Sequence, residues 1–177
     1  GKVLGRELEF PESIGFLLEN PAFLDRYSRY SNLKLLAEIQ NNISDAEIKE
    51  VLSLVGLNEE ASKKKYRKYS LGMKQRLGIA AAIMENPDIL ILDEPFNGVD
   101  IQSNIIITEI IHQLKELGKT VIISSHIFST LNDTCDEILI LENNVISKRV
   151  LKSEFNQLES EMKKITIGNK IDLLGLK

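Results

Sequence analysis

Three short apolar runs frame this chain: Ser13 to Leu18 (SIGFLL), Ile89 to Leu92 (ILIL) between Pro87 and Pro95, and Thr120 to Ser125 (TVIISS). Strand-length runs without polar alternation predict strands buried on both faces, as in a parallel sheet. Between the first two runs the period becomes helical. Leu33, Leu36 and Ala37 share one face, and Ser44 with Glu47 forms a capping box ahead of Ile48, Val51, Leu52 and Val55, stopped by Gly56. After the second run, Ile107, Ile110, Ile111 and Leu114 line a helix closed by Gly118. Further on, EILILEN and VISKRV meet at Asn143-Asn144, a dipeptide suited to a tight hairpin turn. The ends are less regular. Gly1 to Phe10 alternates apolar and polar residues around a second glycine, as a short hairpin would, and Leu151 to Lys177 reads as a charged helical stretch followed by a weak strand, KITIGNKIDLL.

The chemistry gathers where the strands end. Asp93 and Glu94 leave the carboxyl end of the central run, the place at which open α/β sheets present their ligands. Asp93 suits Mg²⁺, an ion that takes oxygen ligands and keeps part of its water shell. Glu94 is placed to orient or deprotonate a water. Upstream, Ser70 and Gly72 open the helix that follows Tyr69, offering a hydroxyl, free backbone N–H groups and a positive dipole end to a phosphate. Taken singly, Ser70 reads equally as a helix cap and Asp93-Glu94 as the start of a turn; their order along the chain favours the chemical reading. His126 follows the third run directly, whereas His112 has no motif around it and reads as surface. The basic run Lys63 to Lys68 (KKKYRK) reads as a solvated approach to the next helix, and Cys135, with no base nearby, as a small core residue.

Composition narrows the classes. At 177 residues, 43% hydrophobic and 27% charged, the chain suits one globular core with room for a subdomain. A net charge of −4 argues against nucleic acid as the main partner. One cysteine excludes a disulfide framework and suits a reducing compartment. No apolar run reaches the length of a membrane-spanning helix, so a span, if the function needs one, comes from another chain.

Taken together, Tyr69 to Asp100 (YSLGMKQRLGIAAAIMENPDILILDEPFNGVD) resembles the ABC ATPases, whose signature motif precedes a Walker B strand, a catalytic glutamate and a D-loop. Ser70 and Gly72 match the signature serine and second glycine, while Leu71 and Met73 depart from its first glycine and glutamine. Ser124-Ser125-His126 matches the family's H-loop, and Glu19 stands where the family usually carries the Q-loop glutamine, a substitution similar to that of bacitracin-resistance and lantibiotic-immunity exporters. The likeness covers residues 1 to about 150 and fades beyond. It implies an α/β fold with a P-loop NTPase-like parallel sheet, formed by 1–18 and 87–150, into which a helical subdomain at 19–86 is inserted, with 151–177 as an extension. It also implies roles for particular residues. Asp93 would hold Mg²⁺, Glu94 would handle the attacking water, His126 would contact the γ-phosphate of ATP, and Glu19 would approach the metal and water. Ser70 and Gly72 would meet an ATP held by a second ATP-binding subunit, in a homodimer whose two sites Asp100 couples. Phe23, Tyr27 and Tyr30 lie in the region that would dock a transmembrane permease subunit, with local core packing an equal reading, and the protein would work at the cytoplasmic face of the membrane, powering export of an antimicrobial peptide.

Two other readings come from different classes. Asn169-Lys170-Ile171-Asp172 fits the box with which GTPases read guanine, but neither a phosphate loop nor an Asp-x-x-Gly switch lies upstream of it, as that reading needs. A non-catalytic dimerisation or docking module is the other, because the 177 residues contain no Gly-x-x-x-x-Gly-Lys-Ser/Thr cradle. In ABC ATPases that cradle lies just upstream of the segment resembling Gly1 onward. A start at Gly1 rather than Met fits a chain cut from a longer one, and the expectation is an incomplete core that is inactive alone.

Overall fold

The computed structural model describes residues 6, 13–40, 43–57 and 64–161. The hairpin expected over Gly1 to Phe10 and the tail strand with its Asn169 to Asp172 box lie outside the described residues, apart from Arg6. The chain divides into two compact units, Gly1–His126 and Ile127–Lys177.

In the first unit three strands, β1 (Ile14–Leu17), β2 (Ile89–Asp93) and β3 (Thr120–Ser124), pair in parallel in that order. Gly15 faces Leu90, Leu17 faces Leu92, and Asp93 faces Ser124. Paired residues share a face of the sheet, so Gly15, Leu17, Leu90 and Leu92 lie on one side and are buried there. Helix α3 (Leu71–Ile83) lies against β1. Two glycines allow that approach: a Cβ on Gly15 would sit 2.0 Å from the carbonyl oxygen of Ala82, and one on Gly78 would sit 2.4 Å from Leu17 Cδ1.

Burial on both faces, expected for these runs, holds on one face only. On the other, Phe16 and Ile122 are each 52% exposed and Ile14 is 38% exposed. The strands are as apolar as a doubly covered sheet requires; the described helices that pack most extensively on it are α3, on β1, and α4 (Ile101–Glu116), on β3.

Helices α1 (Arg29–Gln40), α2 (Asp45–Leu54) and α3 fall between β1 and β2 in the chain. The capping box at the start of α2 is formed, with Glu47 N–H donating to Ser44 Oγ at 3.3 Å and Ser44 N–H donating to Glu47 Oε2 at 2.7 Å. Gly56, at φ 66°, turns the chain after α2. Helix α4 buries Ile107, Ile110 and Ile111 and leaves Leu114 half-buried. The segment Lys64 to Lys68 differs in one residue from a solvated run. Its lysines and Arg67 are exposed, but Tyr66 is buried beside Phe23 and Tyr69 and donates its hydroxyl to the carbonyl of Pro21. An aromatic ring with a hydroxyl can bury its body and still satisfy its polar end.

The second unit holds helix α5 (Phe128–Thr134), the antiparallel pair β4 (Glu137–Glu142) and β5 (Val145–Leu151), and a short helix over 155–161. Asn143 and Asn144 both take positive φ, 50° and 63°, as a two-residue type I′ turn demands. Val150, Phe155 and Leu158 form the core of this unit, with Phe128, Cys135, Ile138 and Ile140 packed on it.

Candidate functional site

The parallel register does most of the positioning. Because Asp93 and Ser124 are paired at the carboxyl ends of β2 and β3, their side chains emerge on the same face, and Ser124 Oγ donates to Asp93 Oδ1 at 2.5 Å. The chain then turns at Glu94, whose φ of 46° lies in the left-handed region that a residue with a Cβ seldom adopts. Its N–H holds it there by donating to the carbonyl of Ser124 at 3.0 Å and to Ser124 Oγ at 3.3 Å. Strained backbone at the end of a strand is a recurring mark of sites that position chemistry.

Glu94 Oε1 meets His126 Nδ1 at 2.9 Å. An ionised carboxylate only accepts, so Nδ1 carries the proton, and Nε2 is the ring nitrogen left for another partner. The two side chains differ in access, His126 at 67% exposed and Glu94 at 21%. Glu94 Oε2 is buried and has no hydrogen-bond partner among the described residues. A buried carboxylate oxygen without a donor is costly, and a water or metal-bound water relieves that cost. Among the described residues no cluster of three or more His, Cys, Asp or Glu could enclose a metal. Mg²⁺ does not need one: it is commonly held by one or two carboxylates together with phosphate oxygens and water. Asp93, with one oxygen fixed by Ser124 and the other outside that bond, fits this mode.

Glu19 joins this group through a neighbour. The Glu94 carbonyl accepts from the Asn97 N–H at 3.1 Å, closing a turn, and Asn97 Nδ2 donates to Glu19 Oε1 at 3.1 Å. The backbone of Glu19 is fixed separately, by Gln75 of α3, whose Nε2 donates to its carbonyl at 2.8 Å; Gln75 is 1% exposed.

Ser70, Gly72 and Asp100 form a second group. Ser70 is the N-cap of α3, its Oγ accepting from Met73 N–H at 3.2 Å, and it is solvent-exposed. A cap uses an oxygen lone pair and leaves the hydroxyl proton for donation, so capping and phosphate contact are compatible roles. Asp100 caps α4: Oδ1 accepts from Ser103 N–H at 2.8 Å and Oδ2 from Ser103 Oγ at 3.1 Å. These bonds, the Ser103 N–H foremost, hold its carboxyl below the usual carboxylate range, with the Arg76 guanidinium contributing. Gly72 lies directly against this cap, since a Cβ there would sit 2.3 Å from Ser103 Oγ and 2.7 Å from Asp100 Oδ2. The departure at Leu71 has a matching glycine, Gly98 at φ 65°, where a Cβ would sit 2.7 Å from Leu71 Cδ2.

Three contributors act through contacts that their local sequence does not encode. Ser124, Asn97 and Ser103 are ordinary polar residues whose roles depend on what lies across the fold. Ser124 alone carried a usable signal, because aligning the two apolar runs as parallel strands puts it opposite Asp93.

The ABC transporter family profile matches residues 4–97. The chain is 43% identical over 144 residues to the ABC transporter ATP-binding protein YybJ of Bacillus subtilis, covering 81% of this chain and 65% of that protein. It is 40% identical over 148 residues to the bacitracin transport ATP-binding protein BcrA of Enterococcus faecalis, covering 81% of this chain and 47% of that protein. The chain thus spans about half to two thirds of the length of these relatives. Among solved structures it is similar to a dimeric, post-hydrolysis ATP-binding cassette bound to ADP and Pi, with a TM-score of 0.71 and 22% identity, over 79% of this chain and 63% of that one. At that identity the likeness speaks to the fold alone, an α/β cassette with a parallel sheet. With a family match over more than half of its residues and such relatives, the chain belongs to the ABC transporter family.

Proposed function

We propose that this chain is part of an ATP-hydrolysing subunit that drives export through a separate transmembrane permease. The observation that carries the reading is the arrangement at the sheet's carboxyl end: Glu94 held in a left-handed backbone conformation, bonded to His126 Nδ1 at 2.9 Å, next to an Asp93 fixed by Ser124.

In this reading Asp93 and Glu19 face Mg²⁺ and its waters, and Mg²⁺, when bound, neutralises charge on the phosphates. Glu94 Oε2, the buried oxygen without a donor, accepts from the attacking water and orients it. His126 keeps Glu94 in place through Nδ1. Nε2, on the far side of the ring, would face a γ-phosphate oxygen. Phosphoryl transfer depends on positioning and electrostatic stabilisation, and the strand ends supply the fixed frame that this requires. The lysine-bearing phosphate cradle, absent from these 177 residues, would come from the rest of the subunit.

Ser70, with its hydroxyl proton, and the free N–H groups of the first turn of α3 would meet a nucleotide held by a second copy. Asp100 would act across that interface through the α4 cap against which Gly72 packs. Coupling to a permease would run through the segment of Phe23, Tyr27 and Tyr30, where Tyr27 is 48% exposed, the neighbouring Leu24 is 52% exposed, and Phe23 and Tyr30 are half-buried. The acidic side chain at Glu19 and the likeness to bacitracin transport proteins support a peptide antibiotic as the cargo.

The test is ATP-dependent assembly. Full-length Glu94→Gln protein, mixed with ATP and Mg²⁺, should run as a dimer by light scattering, and as a monomer with ADP. A variant that stays monomeric with ATP while retaining nucleotide would contradict the shared-site reading.

A further inference from the structure

A single hydroxyl touches both residues at the end of β2, the carboxylate of Asp93 and the backbone N–H of Glu94. Ser124 Oγ has one proton, and it goes to Asp93 Oδ1 at 2.5 Å; one of its lone pairs accepts from the Glu94 N–H at 3.3 Å. The carbonyl of the same residue takes that N–H at 3.0 Å. Ser124 thereby fixes the rotation of the Asp93 carboxylate and supports the left-handed backbone of Glu94.

We infer that Ser124 is a positioning residue for the metal: by occupying Oδ1 it directs Oδ2 of Asp93 toward Mg²⁺ and holds Glu94 beside it. This inference rests on the ATPase reading and gives the serine at the start of the Ser124-Ser125-His126 H-loop match a role of its own. A carboxylate free to rotate must lose that freedom when it binds a metal, and a partner that has already fixed it removes this cost. Outer-shell partners of metal ligands typically account for about 10–100-fold in affinity. Ser124 lies at a solvent-exposed strand end, where water competes for the hydrogen bond, so the lower end of that range applies.

A metal titration tests this without relying on turnover. Full-length protein loaded with a non-hydrolysable ATP analogue is titrated with Mn²⁺, and bound metal is read by electron paramagnetic resonance. Ser124→Ala and Ser124→Val should weaken Mn²⁺ binding about 10-fold. Ser124→Thr, which keeps the hydroxyl on a side chain well suited to a strand, should stay within about threefold of wild type, because the donor is retained. Val matches Thr in shape, so the Thr-to-Val difference isolates the hydroxyl even if either change perturbs packing. Equal Mn²⁺ affinity in Thr and Val overturns the inference while leaving the ATPase reading standing. A nucleotide-loaded wild type that binds no Mn²⁺ overturns the reading, and the inference with it.

Discussion

In the proposed reading Glu19 places a carboxylate where ABC ATPases usually carry an amide, and its surroundings define what a change there would do. Oε1 is engaged by Asn97 at 3.1 Å, and the backbone is tied to α3 through Gln75. An amide can still accept from Asn97, so Glu19→Gln should preserve the local fold. It removes a negative charge that attracts a divalent ion. The expected result is a shift in the Mg²⁺ concentration needed for half-maximal hydrolysis, or weaker coupling to transport; an unchanged Mg²⁺ titration together with unchanged transport would make Glu19 a plain loop residue. Gly72 allows a sharper forecast. Since a Cβ would fall 2.3 Å from Ser103 Oγ, and Ser103 is fully buried, Gly72→Ala must displace the α4 cap. Overpacking of this kind costs about 1–3 kcal/mol, measurable as a lowered urea midpoint. At this scale the sequence was informative about identity and silent about partners. Asp93, Glu94 and His126 could be singled out because strand ends carry ligands, but Asn97 and Ser103 act through contacts that no local pattern encodes. Asp100 shows the same limit: the cap it forms over Ser103 is local chemistry, whereas its neighbour Gly72 comes from a different helix.

The elements were more legible than their joints. Strand runs, the capping box of α2, the stop at Gly118 and the Asn143-Asn144 turn follow from short-range physics, and each falls where the residue pattern puts it. How α2 is fixed to α3 depends instead on Arg76, whose Nη1 donates to the carbonyls of Val55 at 3.1 Å and Gly56 at 3.0 Å. Those carbonyls end α2 and have no helical partners of their own. Burial pushes the Arg76 pKa down, with Asp100 opposing that shift, yet a guanidinium stays charged across the range in which proteins fold. Hydrogen bonds to charged groups are worth about 1.5–3 kcal/mol, so Arg76→Met should lower stability by about that amount. Hydrogen exchange should speed up most at the carboxyl end of α2. A uniform change across α1, α2 and α3 would mean that Arg76 supports the helices generally rather than this joint.

For the molecule as a whole, the open sheet face matters most. Phe16 and Ile122, each 52% exposed, flank Ile91 across the three strands. Contiguous apolar surface of this kind favours association, so the 177-residue polypeptide should run larger than a monomer by light scattering. It should also show no measurable ATPase, because it lacks the lysine-bearing cradle that supplies most triphosphate contacts. Tight ATP binding by this polypeptide would contradict that. The acid response has a defined sign. Asp45 is held below the usual range chiefly by Lys34, Glu47 by the Ser44 N–H, and Asp100 by the Ser103 N–H. Depressed carboxylates stabilise the fold above their unfolded pKa values and lose that contribution as pH falls through the folded ones. The urea midpoint should therefore hold from neutral pH to about 5 and decline below about 4; Asp100→Asn should show a shallower decline. The doubly covered sheet expected from the runs is where sequence and structure diverge most, because an apolar strand face records that it should be covered and says nothing of what covers it.

The central claim is that Glu94 acts on the attacking water, and single-turnover hydrolysis measures it directly. With the full-length subunit saturated with ATP and Mg²⁺, the account predicts that Glu94→Gln binds ATP as wild type does and cleaves it about two to four orders of magnitude more slowly, the scale expected for a lost general base. Cleavage by Glu94→Gln at the wild-type rate would contradict it.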